Sequence, residues 1–265
     1  MSIIQAIFLG AVQALTEFLP VSSSAHLTLI PWLFNLTDMG ETFDIALHFG
    51  TLLAIATFFF KDWIELIKSG IGNITGNKTK TGNMFWYLVL ATIPGGIMGF
   101  VLDHFTENFF RTQYLIIGIT LIVMGLILYI IDKNAKTDTN YENLSLKQTL
   151  IIGVSQALAF IPGVSRSGIT ITTGRFLGVD RESAAKFSFL LSSPIVLAAF
   201  IFKIKDIQLI SGQILPFILG ILTSFVLGMF VIKFLLDYLK KGSFKVFAIY
   251  RFIIGAIVIA AYFIK

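Results

Sequence analysis

Long apolar segments separated by short loops constrain the fold of this chain more than any other feature. A helix that crosses the ~30 Å hydrocarbon core of a bilayer needs about 20 mostly apolar residues. Segments of this kind lie at residues 43–61, 84–103, 113–132, 186–204, 213–236 and 246–264. Charged side chains make up 13% of the chain, whereas a soluble domain carries about 25%. The sequence therefore predicts an all-α polytopic membrane protein, with residues 1–265 forming a single membrane domain.

Two further apolar stretches, residues 3–36 and 150–177, are interrupted near the middle by proline, glycine and serine. Their halves are too short to cross a bilayer, and apolar segments of that length are typical of re-entrant hairpins. Irregular backbone at membrane depth is tolerated only where it is buried in protein or lines a wet cavity. We therefore expect both interruptions to lie inside the protein.

These two stretches resemble each other at an offset of 143 residues, because seven of the sixteen positions in 10–25 and 153–168 are identical. In the first stretch the identical positions are Gly10, Gln13, Ala14, Leu15, Val21, Ser22 and Ser24. Three predicted spans follow each stretch, which divides the chain into repeats of about 1–135 and 145–265. Three is an odd number, so the second repeat must enter the membrane from the opposite face, and such inverted repeats place their site near the midplane. The predicted fold is six transmembrane helices plus two re-entrant helical hairpins in an inverted-topology repeat; chance similarity is the alternative.

The basic residues are distributed unevenly between the two predicted membrane faces. One face receives thirteen of them: Lys61, Lys68, Lys78, Lys80, Lys133, Lys136, Lys147, Arg175, Arg181, Lys186, Lys240, Lys241 and Lys245. The face of the N-terminus receives four: Arg111, Lys203, Lys205 and Lys265. Loops rich in Lys and Arg stay in the cytoplasm, so both termini are predicted to be external. The net charge of +5 follows from these loops, and we expect no nucleic-acid partner.

Ionisable side chains inside membrane segments are costly, which makes them functional candidates. Glu17 lies just before the first interruption, and Arg166 lies within the second. The tips of two inverted hairpins converge, so we expect both side chains to line one cavity. The alternative is that the two residues pair only to hold the hairpins together.

The residues around Arg166 suit a phosphate group. A guanidinium can bind phosphate through two parallel hydrogen bonds. Gly163 permits close approach of the backbone, and Ser165 and Ser167 can cap a helix whose free N–H groups attract an anion. Thr170 falls in the first turn of that helix and adds a hydroxyl. We predict that these residues bind substrate.

A serine cluster follows the first interruption and offers a nucleophile. Ser23 aligns with Arg166 across the repeat, so it could face the same cavity, while Ser22 either binds substrate or caps the helix. A serine nucleophile needs an adjacent base, and His26, one helical turn away, and Glu17 are both candidates. Ser23, His26, Glu17 and Arg166 are therefore the predicted catalytic residues.

Gln13 and Glu17 are four residues apart and share one helix face. An amide and a carboxylate oxygen could hold a divalent cation, since Mg²⁺ typically takes one or two carboxylates together with substrate phosphates and waters. The chain has no cysteine, which excludes thiolate metal sites.

Four other ionisable residues are weaker candidates. Asp44 and His48 lie near the start of the first span. Lys233 and Arg251 lie near helix ends, where snorkelling of a long side chain towards the membrane surface accounts for them.

Residues 13–23, QALTEFLPVSS, and residues 162–170, PGVSRSGIT, resemble the two signature motifs of the bacterial undecaprenyl-diphosphatase family, the bacitracin-resistance proteins. The patterns Glu/Gln-x-x-x-Glu and Pro-Gly-x-Ser-Arg-Ser-x-x-Thr are both met, and the resemblance extends over the whole chain. It implies hydrolysis of undecaprenyl diphosphate in the bacterial cell membrane, with the site open to the external face. It also implies a divalent cation, Mg²⁺ or Ca²⁺, and a fold with two re-entrant hairpins. The family functional residues that match are Glu17, Ser23, His26, Ser165, Arg166 and Thr170. Gln13 stands at the Glu/Gln position, which puts a strict two-carboxylate metal site in doubt.

Two other functions compete with the phosphatase. A polyprenyl-phosphate lipid transporter could use the same arginine and serines for binding, because broken helices at the midplane are common in carriers. A purely structural membrane subunit has no evident need for Glu17 and Arg166. The expected partners are a polyprenyl diphosphate lipid and the bilayer, and a homodimer stays open.

Overall fold

The computed structural model describes residues 2–105, 112–203 and 214–265, and within these ranges the chain is helical, with no β-strand. The helices are α1 (Ile3–Phe18), α2 (Ser23–Phe34), α3 (Gly40–Phe58), α4 (Phe60–Ile74), α5 (Lys80–Phe105), α6 (Tyr114–Asn134), α7 (Leu146–Ser155), α8 (Arg166–Phe176), α9 (Arg181–Lys203), α10 (Ile214–Leu239) and α11 (Lys245–Ile264). Two 3-10 helices, Tyr141–Asn143 and Gln156–Phe160, complete the set.

Five of the described helices are long and apolar enough to cross a membrane, namely α5, α6, α9, α10 and α11. A sixth span is present if the pair α3 and α4 is counted as one, although the two helices meet at a 73° bend. The prediction of a multi-pass helical membrane protein is confirmed. The sequence analysis treated 43–61 as a single span, whereas α3 ends at Phe58 and α4 leaves in a new direction.

Both interrupted stretches break into two helices at the expected place. In the first, α1 ends at Phe18 and α2 begins at Ser23; in the second, the 3-10 helix ends at Phe160 and α8 begins at Arg166. Pro20 cannot donate a backbone hydrogen bond, and Gly163 has a φ of +85°, a conformation that glycine adopts readily. These residues end the first helix of each stretch and let the chain turn.

The two repeats have the same local structure at the start of their second helices. Ser22 and Ser165, which are 143 residues apart, have φ values of 76° and 73°. Each is the N-cap of its helix, and its hydroxyl accepts a hydrogen bond from a backbone N–H three residues later. Positive φ is uncommon for a residue with a Cβ atom and is found mostly at turns and functional sites.

Packing of the helices also follows the repeat. Helix α1 lies against α10, and its counterpart α7 lies against α5. At the first contact a Cβ atom on Gly10 would meet the carbonyl of Gly220 at 2.6 Å, and at the second a Cβ on Gly153 would meet Cα of Ala91 at 2.7 Å. Small residues at such contacts let membrane helices approach closely. These contacts fix the helices that carry Gln13 and Gln156.

Arg251 does not snorkel, contrary to the expectation from its position near a helix end. Its side chain is 1% exposed, and its guanidinium donates to the carbonyls of Pro20 at 3.0 Å, Gly163 at 2.6 Å and Val164 at 3.1 Å. Its Nε also donates to Leu121 O at 3.2 Å. Pro20 and Gly163 are 143 residues apart, so one side chain on α11 joins equivalent points of the two interruptions. These carbonyls have no partner within a helix, because the helices are interrupted there. A buried donor such as the Arg251 guanidinium therefore stabilises them.

Candidate functional site

A cavity of about 210 Å³ lies where the two interruptions meet. Four elements supply most of its polar surface: the end of α1, the start of α2, the start of α8 and the middle of α3. Its polar lining consists of Glu17, Ser22, Ser23, Ser24, His48, Gln156, Ser165, Arg166 and Ser167. Gly95 and apolar residues around Phe160 and Ile195 form the rest of the wall.

Glu17 and Arg166 are in contact across this cavity. Arg166 Nη2 donates to Glu17 Oε1, so the two ionised groups that the sequence placed in opposite repeats do meet. Arg166 Nη1 is buried and has no hydrogen-bond partner among the described residues. A buried guanidinium N–H without a partner is costly. An anion in the cavity would satisfy it.

The other oxygen of the Glu17 carboxylate, Oε2, lies close to three possible donors. Ser23 Oγ is at 2.6 Å, Gln13 Nε2 at 3.1 Å and His48 Nε2 at 3.3 Å. Glu17 itself is 6% exposed. The carboxylate is therefore the centre of the polar network, and it is the base that lies next to the Ser23 hydroxyl.

Two pairs of serine hydroxyls face the cavity from the two repeats. Ser22 Oγ lies 3.4 Å from Ser24 Oγ, and Ser165 Oγ lies 3.2 Å from Ser167 Oγ. All four belong to the first turns of α2 and α8 or cap them. Helix N-termini carry free N–H groups and a positive end of the dipole, so this part of the cavity favours negative charge.

Besides Gln13, which is fully buried next to Glu17, three residues predicted from the sequence to belong to the site lie outside the cavity lining. His26 is 5% exposed, with Nδ1 2.7 Å from Ser22 O and Nε2 2.7 Å from Tyr250 Oη. Thr170 Oγ1 lies 2.8 Å from Arg166 O and 2.7 Å from Ser188 Oγ. The carbonyl of Gly163 is bound to Arg251, as described above. These three contribute to the turns and helices that support the cavity.

His48, a weaker candidate from the sequence, and Gln156, which was not among the predicted site residues, both line the cavity. A signal for Gln156 was present, since it is identical to Gln13 at the repeat offset. Both glutamines are buried, and in each the amide oxygen lacks a hydrogen-bond partner among the described residues. His48 comes from α3, outside both interrupted stretches, and the cost of an ionisable group in a membrane segment was the one signal for it.

Glu17 and Gln13 are the residues predicted to hold a divalent cation. Within the described residues no group of three or more His, Cys, Asp or Glu could hold a metal. Glu17 supplies one carboxylate, and Gln13 beside it has an unsatisfied amide oxygen. Mg²⁺ commonly takes one or two carboxylates and fills its other positions with waters and substrate phosphates. Glu17 in the cavity wall can supply one ligand of such a substrate-assisted site, and the second candidate is the amide oxygen of Gln13, which is buried beside Glu17 and does not line the cavity.

A cavity lined by a guanidinium with one unpartnered nitrogen, two helix N-termini and a serine paired with a carboxylate can bind phosphate and activate a hydroxyl. The fold and this cavity define a multi-pass helical membrane protein with a polar site between two interrupted helical stretches. The chain belongs to the family described as bacitracin resistance protein BacA, whose profile matches residues 6–257.

Curated relatives align with the chain over its full length. An undecaprenyl-diphosphatase of Pelotomaculum thermopropionicum is 51% identical over 260 residues, which cover 98% of this chain and 96% of the relative. Undecaprenyl-diphosphatases of Caldicellulosiruptor bescii and Moorella thermoacetica are 47% and 46% identical, covering 100% of this chain in both cases and 99% and 100% of the relatives.

Proposed function

We propose that this chain hydrolyses undecaprenyl diphosphate to undecaprenyl phosphate and inorganic phosphate, which recycles a lipid carrier for cell-wall synthesis. The relatives described above carry the name of this activity. The observation that carries the proposal is the contact between Glu17 and Arg166 beside the Ser23 hydroxyl. A carrier needs the Arg166 guanidinium to bind a phosphate, but it has no need for a serine whose hydroxyl donates to a buried carboxylate.

In the proposed mechanism the diphosphate enters the cavity and binds the free N–H of Arg166. Ser23 Oγ then attacks the terminal phosphorus while its proton passes to Glu17 Oε2. A bond forms between Oγ and phosphorus, and the bridging P–O bond breaks to release undecaprenyl phosphate. Glu17 passes its proton to the departing undecaprenyl phosphate and is ionised again. Water next attacks the phosphoserine and gives one proton to Glu17, which returns it to Ser23 Oγ as the bond between Oγ and phosphorus breaks and inorganic phosphate is freed. His26 is the alternative nucleophile, although both of its ring nitrogens already have partners.

The chain itself supplies positioning and charge compensation, which account for most of the catalysis in phosphoryl transfer. Arg166 and the N-termini of α2 and α8 neutralise the charge of the phosphates. Burial in the cavity strengthens these interactions, because the local dielectric constant is low. A divalent cation held by Glu17 and Gln13 would supply further charge neutralisation when bound.

The function can be tested with purified protein in detergent and undecaprenyl diphosphate, by measuring phosphate release with and without a chelator. We expect release that requires a divalent cation. A reconstituted protein that moves a labelled polyprenyl phosphate across the bilayer without releasing phosphate would instead support the transporter.

The arrangement in the membrane is part of the proposal. We infer an inverted repeat in which residues 3–34 and 146–176 form two re-entrant hairpins, with the cavity open to the external side. The equal offset of the serine N-caps and the equivalent helix contacts support the repeat, and the uneven distribution of basic residues supports the orientation. A reporter fused after Lys265 is expected to be external, and a cytoplasmic signal from it would contradict this orientation.

A further inference from the structure

His48 lies on α3, outside both interrupted stretches, yet it reaches the centre of the polar network. Its Nδ1 is 2.8 Å from the carbonyl oxygen of Asp44, one turn earlier on the same helix. A carbonyl only accepts hydrogen bonds, so Nδ1 must carry a hydrogen. The other nitrogen, Nε2, is then directed at Glu17 Oε2 at 3.3 Å. At this distance a hydrogen on Nε2 can join the imidazole to the carboxylate.

The four partners of the Glu17 carboxylate do not all persist during the proposed reaction. Arg166 is needed by the phosphate, and Ser23 forms a bond to phosphorus. Two partners are left, Gln13 and His48. Gln13 belongs to α1 itself, four residues before Glu17, so it moves with Glu17 whenever α1 shifts or rotates.

His48 differs from Gln13 because α3 holds it independently of α1. Its ring is fixed by the bond to the Asp44 carbonyl, and 27% of its side chain is exposed, on the cavity side. Once Arg166 binds the phosphate and Ser23 bonds to phosphorus, His48 is the described partner that still links the Glu17 carboxylate to another helix. A catalytic group must be held within about 0.5 Å of its productive position.

We propose that His48 is a positioning residue, which keeps Glu17 Oε2 directed at Ser23 Oγ while the serine attacks and while water is activated. This inference rests on the proposed function, since it assigns a role in that reaction. It concerns the hydrogen bond from α3 and not a proton that His48 gains or loses. His26 cannot take this role in the present geometry, because its nitrogens are bound to Ser22 and Tyr250.

Two substitutions test the hydrogen bonds of the two ring nitrogens of His48 separately. The amide nitrogen of Gln can replace Nε2, so His48→Gln keeps the hydrogen bond to Glu17 and loses the one to Asp44. His48→Asn does the reverse, because its shorter amide can replace Nδ1 and not Nε2. Both variants are neutral, polar and smaller than histidine, so each is a matched control for the other.

The measurement is phosphate release from undecaprenyl diphosphate over a range of substrate concentrations, with thermal unfolding of each variant recorded in the same detergent. We expect the Gln variant to keep kcat within about threefold of the wild type, a difference below ~1 kcal/mol. The Asn variant is expected to lose about tenfold or more in kcat, which corresponds to ~1.4 kcal/mol or more, with little change in KM. Loss in kcat with KM unchanged is the signature of an interaction needed in the transition state.

The inference is overturned if the Asn variant is as active as the Gln variant, or if the loss is in KM alone. If the Asn variant does not fold, the Gln variant decides by itself: a folded Gln variant with a tenfold lower kcat overturns the inference. Absence of phosphate release from the wild type would instead refute the proposed function, so the two failures are distinguishable.

Discussion

Ser23 and Glu17 belong to different helices, yet the hydroxyl of Ser23 donates a 2.6 Å hydrogen bond to the Glu17 carboxylate. The turn between α1 and α2 is responsible, because it folds the first residue of α2 back onto the last turn of α1. The proposed nucleophile and its proposed base are thereby in contact with each other.

Replacement of Ser23 tests this pair directly. Ser23→Ala removes the proposed nucleophile, and we expect phosphate release to fall by about 1,000-fold or more. Ser24→Ala removes a hydroxyl that also faces the cavity but does not contact Glu17, and a loss below about tenfold is expected. Phosphate release should be measured on both variants at saturating substrate. Similar losses in the two variants would contradict the assignment of Ser23.

His26 is tested by comparison with its partner Tyr250. Since both imidazole nitrogens have partners within the protein, His26→Asn, which can replace Nδ1 but not Nε2, and Tyr250→Phe should have similar effects, because each removes the contact between α2 and α11. Each removes a neutral hydrogen bond, which contributes about 1 kcal/mol to folding. Thermal unfolding and phosphate release should be measured together. A His26 variant without activity, beside a fully active Tyr250→Phe, would indicate that His26 attacks phosphorus.

Arg166 and Glu17 should each be essential. Arg166→Ala and Glu17→Ala are expected to abolish nearly all phosphate release and leave a folded protein, as judged by its elution profile in detergent. Arg166→Lys keeps the charge but not the planar group that can contact a carboxylate and a phosphate at once, so it should recover little activity. Normal turnover in either Ala variant would refute the site.

Arg251 and Lys233 form a matched pair, because both were expected to snorkel from helix ends. Arg251 is buried and bound to carbonyls of both interruptions, whereas Lys233 is exposed. Arg251→Met leaves those buried carbonyls without donors, at roughly 1–3 kcal/mol for each. We expect it to lower the unfolding temperature strongly and to abolish activity. Lys233→Met should change stability by less than about 0.5 kcal/mol, and equal effects would show that the Arg251 contacts contribute little.

If Gln13 and Glu17 bind a divalent cation, a second carboxylate at position 13 should increase the affinity for that cation. Gln13→Glu should lower the Mg²⁺ concentration that gives half-maximal phosphate release, because charge on the ligands increases affinity. Gln13→Leu removes the amide oxygen and should raise that concentration. Titration of each variant with metal after chelation is the measurement. If neither variant shifts the midpoint, Gln13 is not a ligand.

Local chemistry explains why so much of the site was predictable. Pro20, Gly163 and the serines near them stop helices in any context, so the two interruptions and the N-caps could be located without a structure. The cost of charge in a membrane singled out Glu17 and Arg166, and the internal repeat suggested that they meet. Segment length and hydropathy located five of the six predicted spans on helices that are long and apolar enough to cross a membrane, and the sixth, 43–61, on the bent pair α3 and α4.

Other features depend on contacts between residues far apart in the sequence. Arg251 looked like a helix-end arginine, and its true role follows from carbonyls 88 and 231 residues away. His26 was favoured as a base because it lies one turn from Ser23, but helix α2 directs it towards Tyr250. The bend between α3 and α4 arises at Phe59, where no proline or glycine indicates it.

The sequence by itself determined that the chain is a helical membrane protein, where the two interrupted stretches break, and which two ionisable side chains, Glu17 and Arg166, are candidates for its site. Hydrophobic length, helix-breaking residues and the cost of buried charge are local properties, which the order of residues fixes. Only the tertiary structure decided which side chains reach Glu17, because a partner across helices depends on how α3, α8 and α11 pack. That packing brings His48 into the cavity and directs His26 away from it.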